Sequence, residues 1–228
     1  MAIAYRSTTA AAGTTEFTIT KPTGTVDDDI LIMVVGMNQT TDLGSLPAGW
    51  ERFAQTLNTN SAGFLAWKRA SSEGASYNVT GFSGIVRAGL MAFSGCTDVG
   101  TPLEASAGRA NSTTTRGTDG ITTTVTGAAI ISAAVVTANV DVSLWTATDP
   151  ATLTERLSTG QTGLSVSAAS DVQSVAGPTG ATSYSHSNNE NTGFVCSLSP
   201  VPLSQGPDIM AFGPRNMVGT LRGAFRGL

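Results

Sequence analysis

Asp27-Asp28-Asp29-Ile30-Leu31-Ile32-Met33-Val34-Val35 sets three acids directly before six consecutive apolar residues. An uninterrupted run of that length, entered through a polar turn, reads as a strand covered on both faces. About one hundred residues later, Ala129-Ile130-Ile131-Ser132-Ala133-Ala134-Val135-Val136 has the same length and texture. Two central strands in one chain each require flanking strands, and both halves of the sequence supply candidates.

Before the first run, Thr15 to Thr20 (TEFTIT) alternates apolar and polar residues as a half-buried strand does, and Lys21-Pro22-Thr23-Gly24 ends it with turn chemistry. After it come a polar stretch from Asn38 to Ser45 and a Pro47-Ala48-Gly49 turn leading into Trp50. Further strands are expected over 50–57, 63–70, 76–80 and 86–93, punctuated by Gly and Ser. Turn signals at this spacing describe a sandwich or barrel. The order then recurs. Gly120-Ile121-Thr122-Thr123-Thr124-Val125 stands for the first alternating strand, and Pro150-Ala151 with Glu155-Arg156 for Pro47-Ala48 with Glu51-Arg52. Thr162-Gly163-Leu164 stands for Ala62-Gly63-Phe64, and Gly193-Phe194-Val195 for Gly89-Leu90-Met91.

Ordered echoes at a nearly constant offset mark an internal repeat, with copies over about 15–100 and 118–200. A Thr/Ser/Gly-rich connector over 100–120 is expected to be a surface loop. The two strand sets either furnish parts of one double-sheet structure or form two small sandwiches. The expected fold is all-β: an antiparallel, jelly-roll-like β-sandwich body over residues 1–200, built from two related strand sets, with a C-terminal docking tail.

Composition narrows the function classes. Charged residues make up 12 % of the chain, about half the usual share. Disordered chains combine high charge with few apolar residues, whereas this one is 40 % hydrophobic with a net charge of −4. A chain of 228 residues buries roughly 70 % of its unfolded surface and needs no staple. Weak acidity argues against a nucleic-acid partner, which calls for a basic face. Met1-Ala2-Ile3-Ala4-Tyr5-Arg6 lacks the basic and apolar regions of a signal peptide. The longest apolar run, Ala128 to Ala138, is too short to cross a bilayer, so no membrane partner is expected. Cys96 and Cys196 form no CxxC pair, and buried free thiols are expected.

The sequence offers no catalytic constellation. His186, the single histidine, lies in Tyr184-Ser185-His186-Ser187-Asn188-Asn189 and reads as a surface imidazole at a strand end. No GxSxG elbow and no GxGxxG or GxxxxGKS phosphate cradle is present. The Asp27-Asp28-Asp29 cluster has the hard oxygens Ca²⁺ prefers, but successive strand residues point to opposite faces, so a solvated turn is expected. No metal and no cofactor is expected. Trp67 alternates as a core residue does. Trp50, beside its turn, is the candidate platform for stacking on a host-surface glycan.

After Ser199-Pro200-Val201-Pro202 the texture changes. Residues 201–228 carry Arg215, Arg222 and Arg226 against Asp208, a net +2 that leaves −6 on the rest. The segment is polar enough for a disordered tail, yet it keeps Ile209, Met210, Phe212, Met217, Leu221, Phe225 and Leu228. These residues with the three arginines are expected to dock on a partner and to lay an apolar side into a groove.

The order of short motifs carries a resemblance. Asp28-Asp29-Ile30-Leu31 is followed by Leu46-Pro47-Ala48-Gly49-Trp50, Ala66-Trp67-Lys68-Arg69-Ala70, Ala75-Ser76-Tyr77-Asn78-Val79 and Ala92-Phe93-Ser94-Gly95-Cys96. This resembles a β-sandwich module of minor structural, tail-associated or head-decoration proteins of tailed bacteriophages, whose pattern is GDLL…PAGW…YxxA…SYT…YxG followed by a looser copy. The likeness covers about Thr15 to Pro200, with Asp28 where Gly is usual and Phe93 where Tyr is common. It implies a virion surface role and no reaction; such a protein, assembled in a host cytoplasm, is expected to be held to other capsid or tail proteins through the segment 201–228. Such proteins assemble symmetrically, and a homo-oligomer such as a trimer suits a particle with rotational axes. The alternative it leaves open is a glycan-binding module of an adhesion device.

Overall fold

The computed structural model describes residues 2–39, 43–111, 116–161, 163–187 and 189–202, and every regular element among them is a strand. The first half contains β1 (Ala4–Gly13), β2 (Glu16–Thr20), β3 (Ile30–Met37), β4 (Glu51–Leu57), β5 (Ala62–Arg69), β6 (Ser76–Thr80) and β7 (Val86–Ser94). The second contains β8 (Leu103–Asn111), β9 (Ala129–Val136), β10 (Ser143–Thr146), β11 (Thr154–Gln161), β12 (Leu164–Val172), β13 (Ser183–Ser185) and β14 (Asn191–Leu198). The fold is an antiparallel β-sandwich.

Each half builds one five-stranded sheet, in the order β1-β7-β3-β5-β4 and, read from the matching edge, β8-β14-β9-β12-β11. In the first half β1 pairs with β7, β2 with β6 and β3 with β5. These are the nested pairs of a long hairpin rolled up around β4, which is jelly-roll connectivity. The second half repeats the nesting with β8·β14 and β9·β12, and shrinks the β2·β6 pairing to the single bridge Thr122↔Pro178. It adds β10·β13 as its outer cover. The edge strands β4 and β11 carry a bulge at matching places, Phe53 in one and Arg156 in the other.

The two five-stranded sheets pack face to face with their strands aligned. β1 faces β11 while β4 faces β8, and β7 faces β12 while β5 faces β14. These contacts exchange under a pseudo-two-fold parallel to the strands, so the halves meet as an isologous pair within one chain. Register fixes the residue equivalences. Ile32 lies between Trp67 and Met91, and Ile131 between Ser170 and Cys196. Gly36, Gly63 and Gly89 therefore match Val135, Val166 and Phe194. The sequence echoes of Gly163 with Gly63 and Gly193 with Gly89 are shifted from these structural counterparts.

Three cores result. Between the sheets, Ile30, Ile32, Val34, Leu65, Met91 and Phe93 meet Ile131, Ala133, Val135, Leu157, Val166 and Phe194. The alternate residues of β3 (Leu31, Met33, Val35) lie under Phe17, Ile19, Tyr77 and Val79 of the β2·β6 cover. Ile130, Ala134 and Val136 of β9 lie under Ile121, Val142, Trp145 and Tyr184. Every residue of β3 and of β9 is buried, because each strand has a layer on both sides. The outer core of the second half also holds hydroxyls that satisfy one another: Thr118 to Thr182 at 2.6 Å and Ser132 to Thr182 at 2.9 Å.

Several sequence expectations are corrected. The connector over 100–120 contains the edge strand β8, whose small side chains hide its pairing. Residues 121–125 form a bridge rather than a strand. β1, which no sequence pattern marks, pairs along all of β7 from Ala4↔Ser94 to Gly13↔Val86.

Candidate attachment surface

The antiparallel strands run along a common axis, which gives the body two ends. The distal end gathers the β4–β5 loop against β8, β9 and β14 through polar groups. Asn58 Nδ2 donates to the carbonyls of Asn111 at 2.9 Å and Asn191 at 3.3 Å, and Asn60 Nδ2 donates to Glu190 Oε2 at 3.0 Å. Ser61 and Thr192 are tied by Thr192 Oγ1 donating to the Ser61 carbonyl at 2.8 Å. Tyr184 Oη and Asn111 Nδ2 both donate to Asn191 Oδ1, at 2.8 and 3.0 Å. This end is fastened by hydrogen bonds.

The opposite end, the base, carries the start of β1, the β7–β8 loop, the end of β12 and the exit from β14. Here Cys96 bridges Pro200, Thr97 N–H donates to the Ser199 carbonyl at 2.9 Å, and Val201 N–H donates to the Gly95 carbonyl at 3.0 Å. Arg69 Nη2 holds the same loop through the Thr97 carbonyl at 2.7 Å. The chain therefore leaves β14 pinned along the base as far as Val201.

Beside this pinned exit lies a cavity of about 420 Å³. Pro200, Val201 and Pro202 form one wall, Val125, Thr126 and Gly127 another, and Ala2 and Val172 complete it. No lining side chain is charged. The 125–127 wall is fixed by Gly127 N–H donating to the Gln173 carbonyl at 3.0 Å and Gln173 N–H donating to the Ala128 carbonyl at 2.8 Å. Glu104 Oε1 also accepts from the Thr124 and Val125 N–H groups. A smaller cavity of about 180 Å³ adjoins it through Val172 and is bounded by Arg156, whose guanidinium lies 4.6 Å from the Tyr5 ring centroid. Val99 and Val175, on loops of the same end, are 78 % and 64 % exposed. The base thus joins this uncharged concavity to exposed charge, since Asp27 and Asp28 lie at the same end, where Arg69 binds the Asp28 and Thr97 carbonyls.

The residues expected to dock, Ile209, Met210, Phe212, Arg215, Met217, Leu221, Arg222, Phe225, Arg226 and Leu228, lie outside the described residues. Trp50 is corrected: it is 9 % exposed, edge-on to Tyr77 at 5.2 Å, and has no free face for a sugar. The Pro47–Trp50 turn, with Gly49 at φ 83° and a bond from Trp50 N–H to the Pro47 carbonyl, aims the ring inward under the β2·β6 cover. His186 is corrected as well. It is 7 % exposed beside Tyr184, and burial holds its imidazole below the usual range, so it is neutral at pH 7.

The acidic triplet divides. Asp27 and Asp28 are exposed, with Asp27 Oδ1 accepting from the Ser72 N–H at 2.7 Å. Asp29 is buried, pairs with Arg6 Nε at 2.6 Å and accepts from the Val26 N–H at 2.9 Å. Cys96 and Cys196 are free and buried. Burial pushes the Cys96 thiol up to about 12 and raises that of Cys196, so neither is a nucleophile near neutral pH. Among the described residues no three His, Cys, Asp or Glu side chains gather as a metal site.

Sequence reasoning expects a docking segment over 201–228, most of it outside the described residues, and gives no sign of the cavity at the base. The cavity's walls come from four separated segments, and only Pro200-Val201-Pro202 marks itself, as a change of texture. No family model matches the chain, and no curated protein or solved structure matches it either.

Proposed function

We propose that the chain is a structural protein of a bacteriophage particle, displayed on the head or tail surface and attached through residues 201–228. The observation that carries this reading is the polarity of the body. One end is closed by hydrogen bonds among Asn, Ser and Thr, while the other holds an uncharged concavity, flanked by the exposed Asp27 and Asp28, and is the end at which β14 leads into residues 201–228, rich in arginine and large apolar side chains. A protein with one end turned to water and the other to a protein surface has this arrangement. The order of phage-module motifs supports the same reading. Sparse charge and a surface of Thr, Ser and Gly suit a protein that must remain soluble and inert on a particle. The glycan alternative loses its platform with the burial of Trp50.

The test is mass spectrometry and antibody labelling of purified particles. The chain should be present at a copy number set by the particle's rotational symmetry, with its distal end accessible to antibody. Loss of the chain on washing at moderate salt, or antibody access only after particle disruption, would refute the assignment.

A further inference from the structure

We propose that the base of the folded body is a docking surface for a protein segment that presents apolar side chains between lysines or arginines. Apolar surface is the first feature that points to it. Of the six large apolar side chains exposed among the described residues, Val26, Val99, Val172 and Val175 lie at this end, with Val172 in the wall of the uncharged cavity of about 420 Å³. Apolar side chains scattered singly over a surface need no explanation, but a group of them beside a concavity marks an interaction site. The cavity falls in the lower part of the range of ligand pockets, about 300–1,000 Å³, so it takes a few side chains rather than a folded domain.

Charge decides what the partner is. Asp27, Asp28 and Asp98 are exposed at this end and Asp171 is half-buried. Asp98 follows Thr97, whose N–H donates to the Ser199 carbonyl next to the cavity wall. Asp171 precedes Val172 and accepts from its N–H at 2.7 Å. The arginines of the same end are engaged elsewhere. Arg6 lies on Asp29 at 2.6 Å, Arg69 on the Asp28 and Thr97 carbonyls at 3.5 and 2.7 Å, and Arg156 on Ser170 Oγ at 3.1 Å and over the Tyr5 ring. None of the four carboxylates pairs with a cation among the described residues. An uncharged concavity beside unpaired carboxylates selects a partner that is apolar at its centre and cationic at its flanks. The same carboxylates repel an anionic bilayer and a phosphate backbone. A second copy meeting the base through its own base would set like charges against each other. A contact of this size is weak by itself.

This inference does not depend on a virion role, and its test uses no particle. The isotope-labelled full chain is titrated by NMR with two synthetic peptides, one carrying Leu-Phe-Leu between Lys-Arg pairs and the other the same core between Glu-Glu pairs. The cationic peptide should move the amide signals of Val99, Gly127 and Val172 and leave those of Leu57 and Asn60, at the distal end, unmoved. It should bind about tenfold more tightly than the acidic peptide and lose that advantage at high salt. Combining Asp28→Asn, Asp98→Asn and Asp171→Asn should weaken the cationic peptide by a similar factor while thermal unfolding stays that of the parent. Asparagine tolerates the positive φ of 71° at position 28. Equal affinity for the two peptides, no binding of the cationic one, or undiminished binding by the triple variant would overturn the proposal. So would shifts confined to the distal end, self-association of the chain through its base, or capture of the chain by phosphatidylserine vesicles.

Discussion

Gly36, Gly63 and Gly89 show how single residues decide the packing of this molecule. All three face the inter-sheet core, and their pseudo-symmetric counterparts in the second half are Val135, Val166 and Phe194. A Cβ on Gly36 would lie 2.6 Å from Val135 and 2.7 Å from Val166, and one on Gly63 would lie 3.1 Å from Phe194. Absent side chains in one half thus receive large ones from the other. Two copies of the first half would leave voids, and two copies of the second would collide. Gly36→Ala should cost about 1–3 kcal/mol by overpacking, and adding Val135→Ala should return part of it; thermal unfolding of the two variants checks this. Glu73 gives a pH-dependent counterpart. Burial alone would raise its carboxyl, but hydrogen bonds from Lys68 Nζ and the Ser71 N–H outweigh it and hold the group below its usual range. The native state therefore gives up this proton more readily than the unfolded chain does. Its contribution is complete above the unfolded carboxylate range and is lost as pH falls through the lower native value. Denaturant titrations should find Glu73→Gln less stable than the parent at pH 7, with the gap closing in acid. Trp50 and His186 are hard to place from sequence for a reason visible here: whether a ring is covered depends on a layer supplied from elsewhere in the chain.

Among the elements, legibility follows side-chain size. β3 and β9 are plain in the sequence because a strand covered on both faces must be apolar at every position. β4, β5, β6 and β7 are bounded by turns, and the Pro47–Trp50 turn is legible even though the burial of the ring it delivers is not. β1 (AYRSTTAAAG) and β8 (LEASAGRAN) are edge strands of small and polar residues, whose identity lies in main-chain pairing rather than in a pattern. Side chains add to the pairing of β1: Arg6 on Asp29, Tyr5 between Phe93 and Arg156, and the hydroxyls of Ser7, Thr8 and Thr9 donating to the Thr23, Leu90 and Thr20 carbonyls at 2.6, 3.0 and 2.6 Å. Arg6→Ala leaves a buried carboxylate without its cation and should destabilise the protein by about 1–3 kcal/mol. Hydrogen exchange should quicken along β1 while β14, in the other sheet, stays protected. Equal loosening of both strands would mean that Arg6 does more than pin an edge.

At the scale of the whole molecule, the pseudo-two-fold pair explains why one chain needs both halves. Each five-stranded sheet has an outer cover of its own, but its inner face is closed only by the other sheet. Separately produced pieces 1–100 and 101–228 should each be poorly folded and should gain cooperative unfolding when mixed, read by calorimetry. Phe194→Ala, which empties space facing both sheets, should cost about 3–5 kcal/mol and leave a single transition. The repeat is detectable in the sequence by order alone. Its exact register is not, because glycines are matched across the axis by valine and phenylalanine instead of by each other. The cavity at the base is equally hidden, being assembled from segments far apart in the chain. On the proposed reading, attachment to a particle runs through that base and residues 201–228. The most direct measurement is occupancy on purified particles, comparing the full chain with one ended after Pro202. The shortened chain should keep the β-rich circular dichroism and cooperative unfolding of the full one yet be lost from particles; full occupancy by the shortened chain would contradict attachment through 201–228.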